Sequence, residues 1–470
     1  MADFKSIFRE YDVRGRVRKG ELDEDNFRRL AEGFALYLKR RQISRVVVGH
    51  DNRKISPTFA RIACEVLAER GFTVYDVGLC ITPAAYFAQY HLECEGLMMV
   101  TASHNPNGWC GCKLGDGFSK TLNSDEICEL YQCCLAAEDT SEAVAGGARI
   151  PYDIRAPYIE DILQQVQIPK NNLRLVADAG NGAAGIYAWE LFQRLGVLTF
   201  QLNCDLDDDY PHYFPNPSDM AARECLKKNV QSCGVRADLG VTFDGDGDRL
   251  GVVDGDGNDI WSDRVLMILA ADFLRRYPGG AVVFDVKCTE ALAEAVRQAG
   301  GRPVMWKTGH SHIKAKLKEE NAILAGERSG HIFINAGGRG YDDALFAAAW
   351  LLKILAERGK SLAAVLREFP AYATSTEIRI PTADDEKYLL VERLQKYFCE
   401  QYGEENVCLI NGARVRLPQF GGWALVRASS NLPELVVIAE AADRENLQKL
   451  LAFFRGELAK NGVCGKWENI

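Results

Sequence analysis

Three stretches of the chain repeat one alternation of apolar and polar segments. Each opens with a short apolar run ending at an Asp, passes through a polar loop into a helical pattern, and returns through Gly to a second apolar run. The first is RVVVGHDNR (45–53), a helix to residue 70, and an apolar return from Gly71. The second is LRLVADAGNG (173–182), a helix to residue 195, and a return from Gly196. The third is AVVFDVKCTE (281–290), a helix to residue 299, and a return from Gly301. Asp51, Asp178 and Asp285 lie 127 and 107 positions apart, and the three glycines 125 and 105 apart. Two landmarks keeping nearly the same offsets predict three similar units. Strand–helix–strand alternation predicts parallel or mixed sheets.

In each unit a further short apolar strand follows and runs into an unusual polar loop. The pairs are GLMMV then TASHNP (96–106), LGVTF then DGDGDR (239–249), and AILA then GERSGH (322–331). Open α/β sheets bind ligands beyond the carboxyl ends of their strands, so these loops are the places to look for chemistry. From about residue 371 the pattern changes to strands at 376–380, around 407–415, 423–427 and 435–439, with helices at 385–402 and 443–460. The expected fold is α/β: three similar mixed-sheet domains, 1–150, 151–256 and 257–370, with a C-terminal α+β domain, 371–470.

Composition narrows the class. A chain of 470 residues is too long for one core, and 47% apolar with 26% charged residues excludes a disordered or fibrous chain. A net charge of −9 argues against nucleic acid or an anionic membrane as partner. The apolar stretch at 344–356 is interrupted by Lys353 and reads as a buried helix, and the first residues are charged. The expectation is a cytoplasmic monomer. The fifteen cysteines are scattered without paired Cys-x-x-Cys sets, which reads as reduced thiols.

Candidate chemistry concentrates in four loops. In DGDGDR, Asp244, Asp246 and Asp248 alternate with Gly245 and Gly247. Carboxylates converging at a strand end repel unless a cation sits among them, and an all-oxygen set selects a hard ion, Mg²⁺ before Ca²⁺. An EF-hand is excluded because its twelfth position is Gly255; the second DGDG, at 254–257, reads as a hairpin turn. In TASHNP, Ser103 is a candidate nucleophile, and Lys113 is able to return to the same pocket. In GERSGH, Glu327 and Ser329 suit a polyol, and His331 suits acid–base work; a second histidine, His310, follows the preceding strand. In RASSNLPE, Arg427, Ser429, Ser430 and Asn431 resemble a phosphate cradle.

These motifs together resemble the α-D-phosphohexomutase family, in particular its bacterial phosphomannomutase/phosphoglucomutase branch. FREYDVRG (8–15) is similar to the family's N-terminal Arg motif, TASHNP to its phosphoserine loop, DGDGDR to its metal loop, and FDVKCT (284–289), WKTGHS (306–311) and GERSGH to its sugar- and phosphate-contacting segments. The chain has Trp109-Cys110-Gly111 where members usually carry Tyr-Asn-Gly, and Ser429-Ser430-Asn431-Leu432-Pro433 in place of the usual tail loop.

The resemblance implies four domains around a central cleft and reversible transfer of phosphate between the 1- and 6-positions of glucose and mannose phosphates. Phospho-Ser103 would be the carrier, a 1,6-bisphosphate the intermediate, and glucose 1,6-bisphosphate the activator. It implies one Mg²⁺ per chain on Asp244, Asp246, Asp248 and Ser103, with Arg249 on the transferring phosphate. Arg14, Lys113 and His331 would handle charge and protons, Tyr11, Lys287 and His310 would position the sugar, and the tail loop would hold the distal phosphate. Three other readings compete: a phosphoglucosamine mutase, a phosphatase with Asp244 as nucleophile, and a non-catalytic sugar-phosphate sensor. The phosphatase leaves TASHNP without a task.

Overall fold

The structure is a computed structural model describing residues 4–137, 146–232, 236–430, 432–465 and 467. Four sheets organise it. In the first, the central strand Arg45–His50 pairs in parallel with Thr73–Leu79 on one side and Gly96–Val100 on the other. Gly96–Val100 then pairs antiparallel with Trp109–Asp116. The second sheet repeats this: Arg174–Asp178 lies between Leu198–Leu202 and Leu239–Phe243, and the latter turns back into Leu250–Asp254. The third does so again with Ala281–Asp285, Arg302–Trp306, Leu324–Gly326 and Ile332–Ile334.

The repeated pattern is therefore one topology built three times. Each polar loop is the connection between the third, parallel strand of its unit and a fourth, antiparallel one. The inner strands are buried on both faces, as in Ala281–Asp285 and Leu239–Phe243, because helices cover both sides of these three sheets. The repeated Asp has a structural task at this edge. Asp51 Oδ2 accepts from Ala102 N at 3.4 Å, and Asp285 Oδ1 from Arg328 N at 3.2 Å, so in units one and three it ties down the neighbouring functional loop.

Helix ends follow their capping residues. Helix Glu24–Arg40 starts at Asp23, whose side chain accepts from Asn26 N, and helix Ala344–Arg358 starts at Asp343 and stops at Gly359 in the left-handed region. The latter helix is buried along most of its length, as its apolar run predicts. The expected turn at 254–257 is a hairpin between Leu250–Asp254 and Asp259–Ile260.

One apolar cluster runs from Val47 through Leu175 and Phe284 to Val365, so the first three units share a continuous core. The tail has its own core between an antiparallel sheet and the helices Lys387–Tyr402 and Arg444–Lys460. It meets the third unit through Val286, Trp423, Leu425 and Ile438. The tail's first strand is displaced from expectation. Ala373–Thr374 and Ile378–Pro381 pair separately with Glu434–Ala441, because Ser375 Oγ accepts from Ala439 N and Glu377 turns aside to Lys287. The fourteen described cysteines are all free thiols, and no helix among the described residues is long and apolar enough to cross a membrane.

Candidate active site

Ser103 stands three residues beyond a strand end, in the left-handed region at φ 50°, and is 2% exposed. Its Oγ donates to Asp244 Oδ2 at 2.8 Å and lies 3.0 Å from His104 Nδ1. Burial, with Arg249 and Arg14 nearby, pushes the His104 imidazole well below its usual range, so it stays neutral. The two loops touch because position 245 is Gly: a Cβ there would stand 2.7 Å from the Ser103 carbonyl oxygen.

The three carboxylates of DGDGDR are wholly buried. Asp244 Oδ1 accepts from the backbone of Asp248 and Arg249 at 3.0 and 3.1 Å. Asp246 Oδ2 accepts from Thr82 Oγ1 at 2.6 Å and from Lys113 Nζ at 2.8 Å, and Lys113 also bonds Asp248 Oδ2. Burial opposes the charge of Lys113, but Asp246 and Asp248 outweigh it and hold the ammonium well above its ordinary range. Asp244 is pushed well up by burial and then by Asp248 and Asp246. Asp246 Oδ1 and Asp248 Oδ1 are buried with no hydrogen-bond donor. One oxygen from each of the three Asp lies within 4.8 Å of the others. Orphaned oxygens, excess negative charge and hard donors together fit a divalent cation.

The remaining expected residues gather around this cluster or across the cleft from it. Arg249 Nε donates to His331 Nε2 at 2.9 Å, and His331 Nδ1 lies 2.8 Å from Asp342 Oδ2. An arginine only donates, so Nε2 is the acceptor and the imidazole proton sits on Nδ1, facing Asp342. Arg14 pairs opposite Gly111, where a Cβ would collide with Val13 O at 2.0 Å, and it reaches Asn105 Oδ1 at 2.7 Å in the Ser103 loop. Tyr11 meets His310 edge-on at 5.0 Å, and His310 Nδ1 is buried with no hydrogen-bond partner.

Glu327 Oε1 accepts from Gly309 N at 2.5 Å, and burial raises its carboxyl above the ordinary value. Ser329 beside it is half-buried, whereas Arg328 turns away to Asp263 and Ser375 O. Lys287 crosses to the tail and bonds Glu377 Oε1 at 3.0 Å. In the tail loop, Arg427 Nε donates to Asn411 Oδ1 at 2.9 Å, Ser429 Oγ accepts from Leu432 N at 3.3 Å, and Ser430 is half-buried. Asn431 lies outside the described residues. The structure thus joins Ser103, Lys113, the three Asp, Arg249 and His331 by direct contacts. Among the described residues no hydrogen bond links the tail loop to that cluster.

Two contributors escape a reading of the motifs. Thr82 carries the only local hint, a Thr-Pro at the start of helix Thr82–His91. Asp342 gives none, standing beside the helix cap Asp343 in an ordinary-looking loop.

Three family models cover most of the chain. Residues 5–141, 156–257 and 261–372 match phosphoglucomutase/phosphomannomutase alpha/beta/alpha domains I, II and III respectively. The chain belongs to this family. A phosphomannomutase/phosphoglucomutase of Pseudomonas aeruginosa is 38% identical over 453 residues, spanning 96% of this chain and 95% of that one. A phosphoglucomutase of Neisseria gonorrhoeae is 35% identical over 463 residues, spanning 97% of each. The crystal structure of a phosphoglucomutase/phosphomannomutase family protein from Burkholderia thailandensis superposes with a TM-score of 0.88 at 35% identity, covering 99% of both chains. This chain is accordingly an α/β phosphohexomutase, an isomerase that works by phosphoryl transfer on hexose phosphates.

Proposed function

We propose that the chain interconverts the 1- and 6-phosphates of glucose and mannose, with Ser103 as the phosphoryl carrier. The observation that carries this reading is the hydrogen bond from Ser103 Oγ to Asp244, which puts a buried hydroxyl against a cation-ready carboxylate set. The sugar hydroxyl attacks the phosphorus on Ser103, the Oγ–P bond breaks, and a hexose 1,6-bisphosphate results. After the bisphosphate turns over, Ser103 takes back the phosphate from the other end.

Mg²⁺ held by Asp244, Asp246, Asp248 and Ser103 would neutralise the non-bridging oxygens in flight. Lys113 adds a buried positive charge beside the same oxygens. Arg249, now bonded to His331 Nε2, would leave it for the phosphate, and the freed lone pair would accept the attacking hydroxyl's proton. Arg14, tied to the Ser103 loop through Asn105, faces the same charge. Tyr11, His310, Glu327 and Ser329 bound the sugar, and Lys287 with the tail loop receives the distal phosphate. Intact-mass measurement tests this. Incubation with glucose 1,6-bisphosphate should add one phosphoryl group, mapped to Ser103, and a chain that stays unmodified while turning over substrate refutes it.

Substrate choice follows from which hydroxyls Glu327 and Ser329 read. If these are shared by the two sugars, glucose 1-phosphate and mannose 1-phosphate should both turn over, and glucosamine 1-phosphate should be poorer. A kcat/KM that favours glucosamine 1-phosphate would reassign the enzyme to phosphoglucosamine.

The tail loop sets affinity. Losing a hydrogen bond to a charged group costs about 1.5–3 kcal/mol, or roughly 10–150-fold. A distal phosphate is held alike in ground and transition states, so Arg427→Ala should raise KM by about that factor with kcat little changed. An unchanged KM for every hexose phosphate would remove the loop from phosphate binding.

A further inference from the structure

The Ser103 loop is gripped from beneath by a residue that the reaction scheme does not use. Arg53 is 4% exposed. Its guanidinium donates to the carbonyls of Ser103 at 2.7 Å, Asn105 at 2.6 Å and Pro106 at 3.2 Å. No motif pointed to it, yet the repeat explains its place. Position Asp+2 of the units is Arg53, Gly180 and Lys287, so units one and three each put a cation beside the repeated Asp. In unit three the cation faces the cleft and the tail. In unit one it turns inward to the loop.

The grip is itself braced. Asp51 Oδ2 lies 3.3 Å from Arg53 Nε and accepts from Ala102 N, while Asp51 Oδ1 accepts from Arg53 N at 3.1 Å and Ser56 Oγ at 2.6 Å. The ring of Tyr210, from unit two, stacks near the guanidinium at 5.6 Å, and Asn52 Nδ2 donates to Asn181 O at 2.9 Å across the same seam. Arg53 thus sits where units one and two meet, under the two loops that must register with each other.

Ser103 needs such support. A non-glycine residue at φ 50° occupies a sparsely populated region and persists only where its surroundings over-determine it. Arg53 Nη2 binds the carbonyls of Ser103 and Asn105, on both sides of His104, while Nη1 binds that of Pro106, and lysine has no second prong to span the loop in this way. We propose that Arg53 is a positioning residue for phosphoryl transfer: it holds Ser103 in the strained backbone conformation that aims Oγ at the Asp244 carboxylate.

The proposal rests on Ser103 being the phosphoryl carrier, so the experiment separates the two. Wild type and Arg53→Lys are mixed with glucose 1,6-bisphosphate in Mg²⁺, Ser103 phosphorylation is followed by rapid-quench intact mass, and hexose-phosphate Kd is measured by calorimetry. A displacement of about 1 Å at a reacting group costs on the order of 100-fold, so the phosphorylation rate and kcat should fall about 10–100-fold in Arg53→Lys. The Kd should stay near the wild-type value, because the contacts of Arg53 are with the Ser103 loop, Asp51 and Tyr210 and include none of the residues assigned to the sugar or the distal phosphate. Addition of guanidinium ion to Arg53→Ala should restore part of the rate. Equal phosphorylation rates in wild type and Arg53→Lys overturn the proposal. So does a Kd that rises as much as the rate falls, since that marks a residue that only maintains the fold. A wild-type chain that never acquires phosphate overturns the carrier role of Ser103 instead.

Discussion

Ser103→Ala should lower kcat by at least about 10³-fold, an effect of about 4 kcal/mol on the barrier. The reason is covalent: no other described hydroxyl bonds Asp244 from a strand-end loop. Without it the phosphate has nowhere to reside between the two half-reactions, and the surviving rate would come from water or free bisphosphate as acceptor. The fold should be unaffected, because Ser103 Oγ contacts only Asp244 and His104, while the loop itself hangs on backbone groups that Ala retains. Steady-state assay without added bisphosphate, alongside intact mass, gives the reading. A rate within a few-fold of wild type would mean the phosphoryl group never passes through this side chain.

Removal of the cation should be comparably severe. Excess chelator is expected to abolish turnover and Mg²⁺ to restore it. Asp246→Asn should lower kcat by about 10²–10³-fold, the usual scale for removing one preorganised electrostatic contact at a reacting centre. Its consequences spread through named contacts. Asp246 Oδ2 holds both Thr82 and Lys113, so the amide must turn its oxygen toward them and present only a nitrogen to the cation. Lys113 keeps Asp248 as a partner, which should preserve the packing. Titration of activity with Mg²⁺ should therefore show a higher half-saturation point in a folded variant. Full activity of the wild type in chelator would exclude the carboxylates as a cation site in the reaction.

The pattern of apolar runs determined the three α/β units and the edge of each sheet at which chemistry lies. That information is local. A five-residue run buried on both faces, an Asp at its end and a Gly after the helix each act within a few residues of themselves. DGDGDR was legible for the same reason: alternation of Asp and Gly within six positions brings its carboxylates together wherever the loop is placed, and the structure finds them within 4.8 Å.

Only the tertiary structure decided which groups neutralise one another. Lys113 meets Asp246 and Asp248 from 133 and 135 positions away, and Thr82 meets Asp246 from 164. His331 meets Arg249 at Nε2 and stands beside Asp342 at Nδ1. Lys287 finds Glu377 in the tail, whereas Arg53, its counterpart in the repeat, turns to backbone carbonyls of the Ser103 loop. None of these pairings has a periodicity to read. A buried polar atom takes whichever partner the docking of separate units brings within about 3 Å, and that docking is set by the shared apolar core, not by the residues that end up paired.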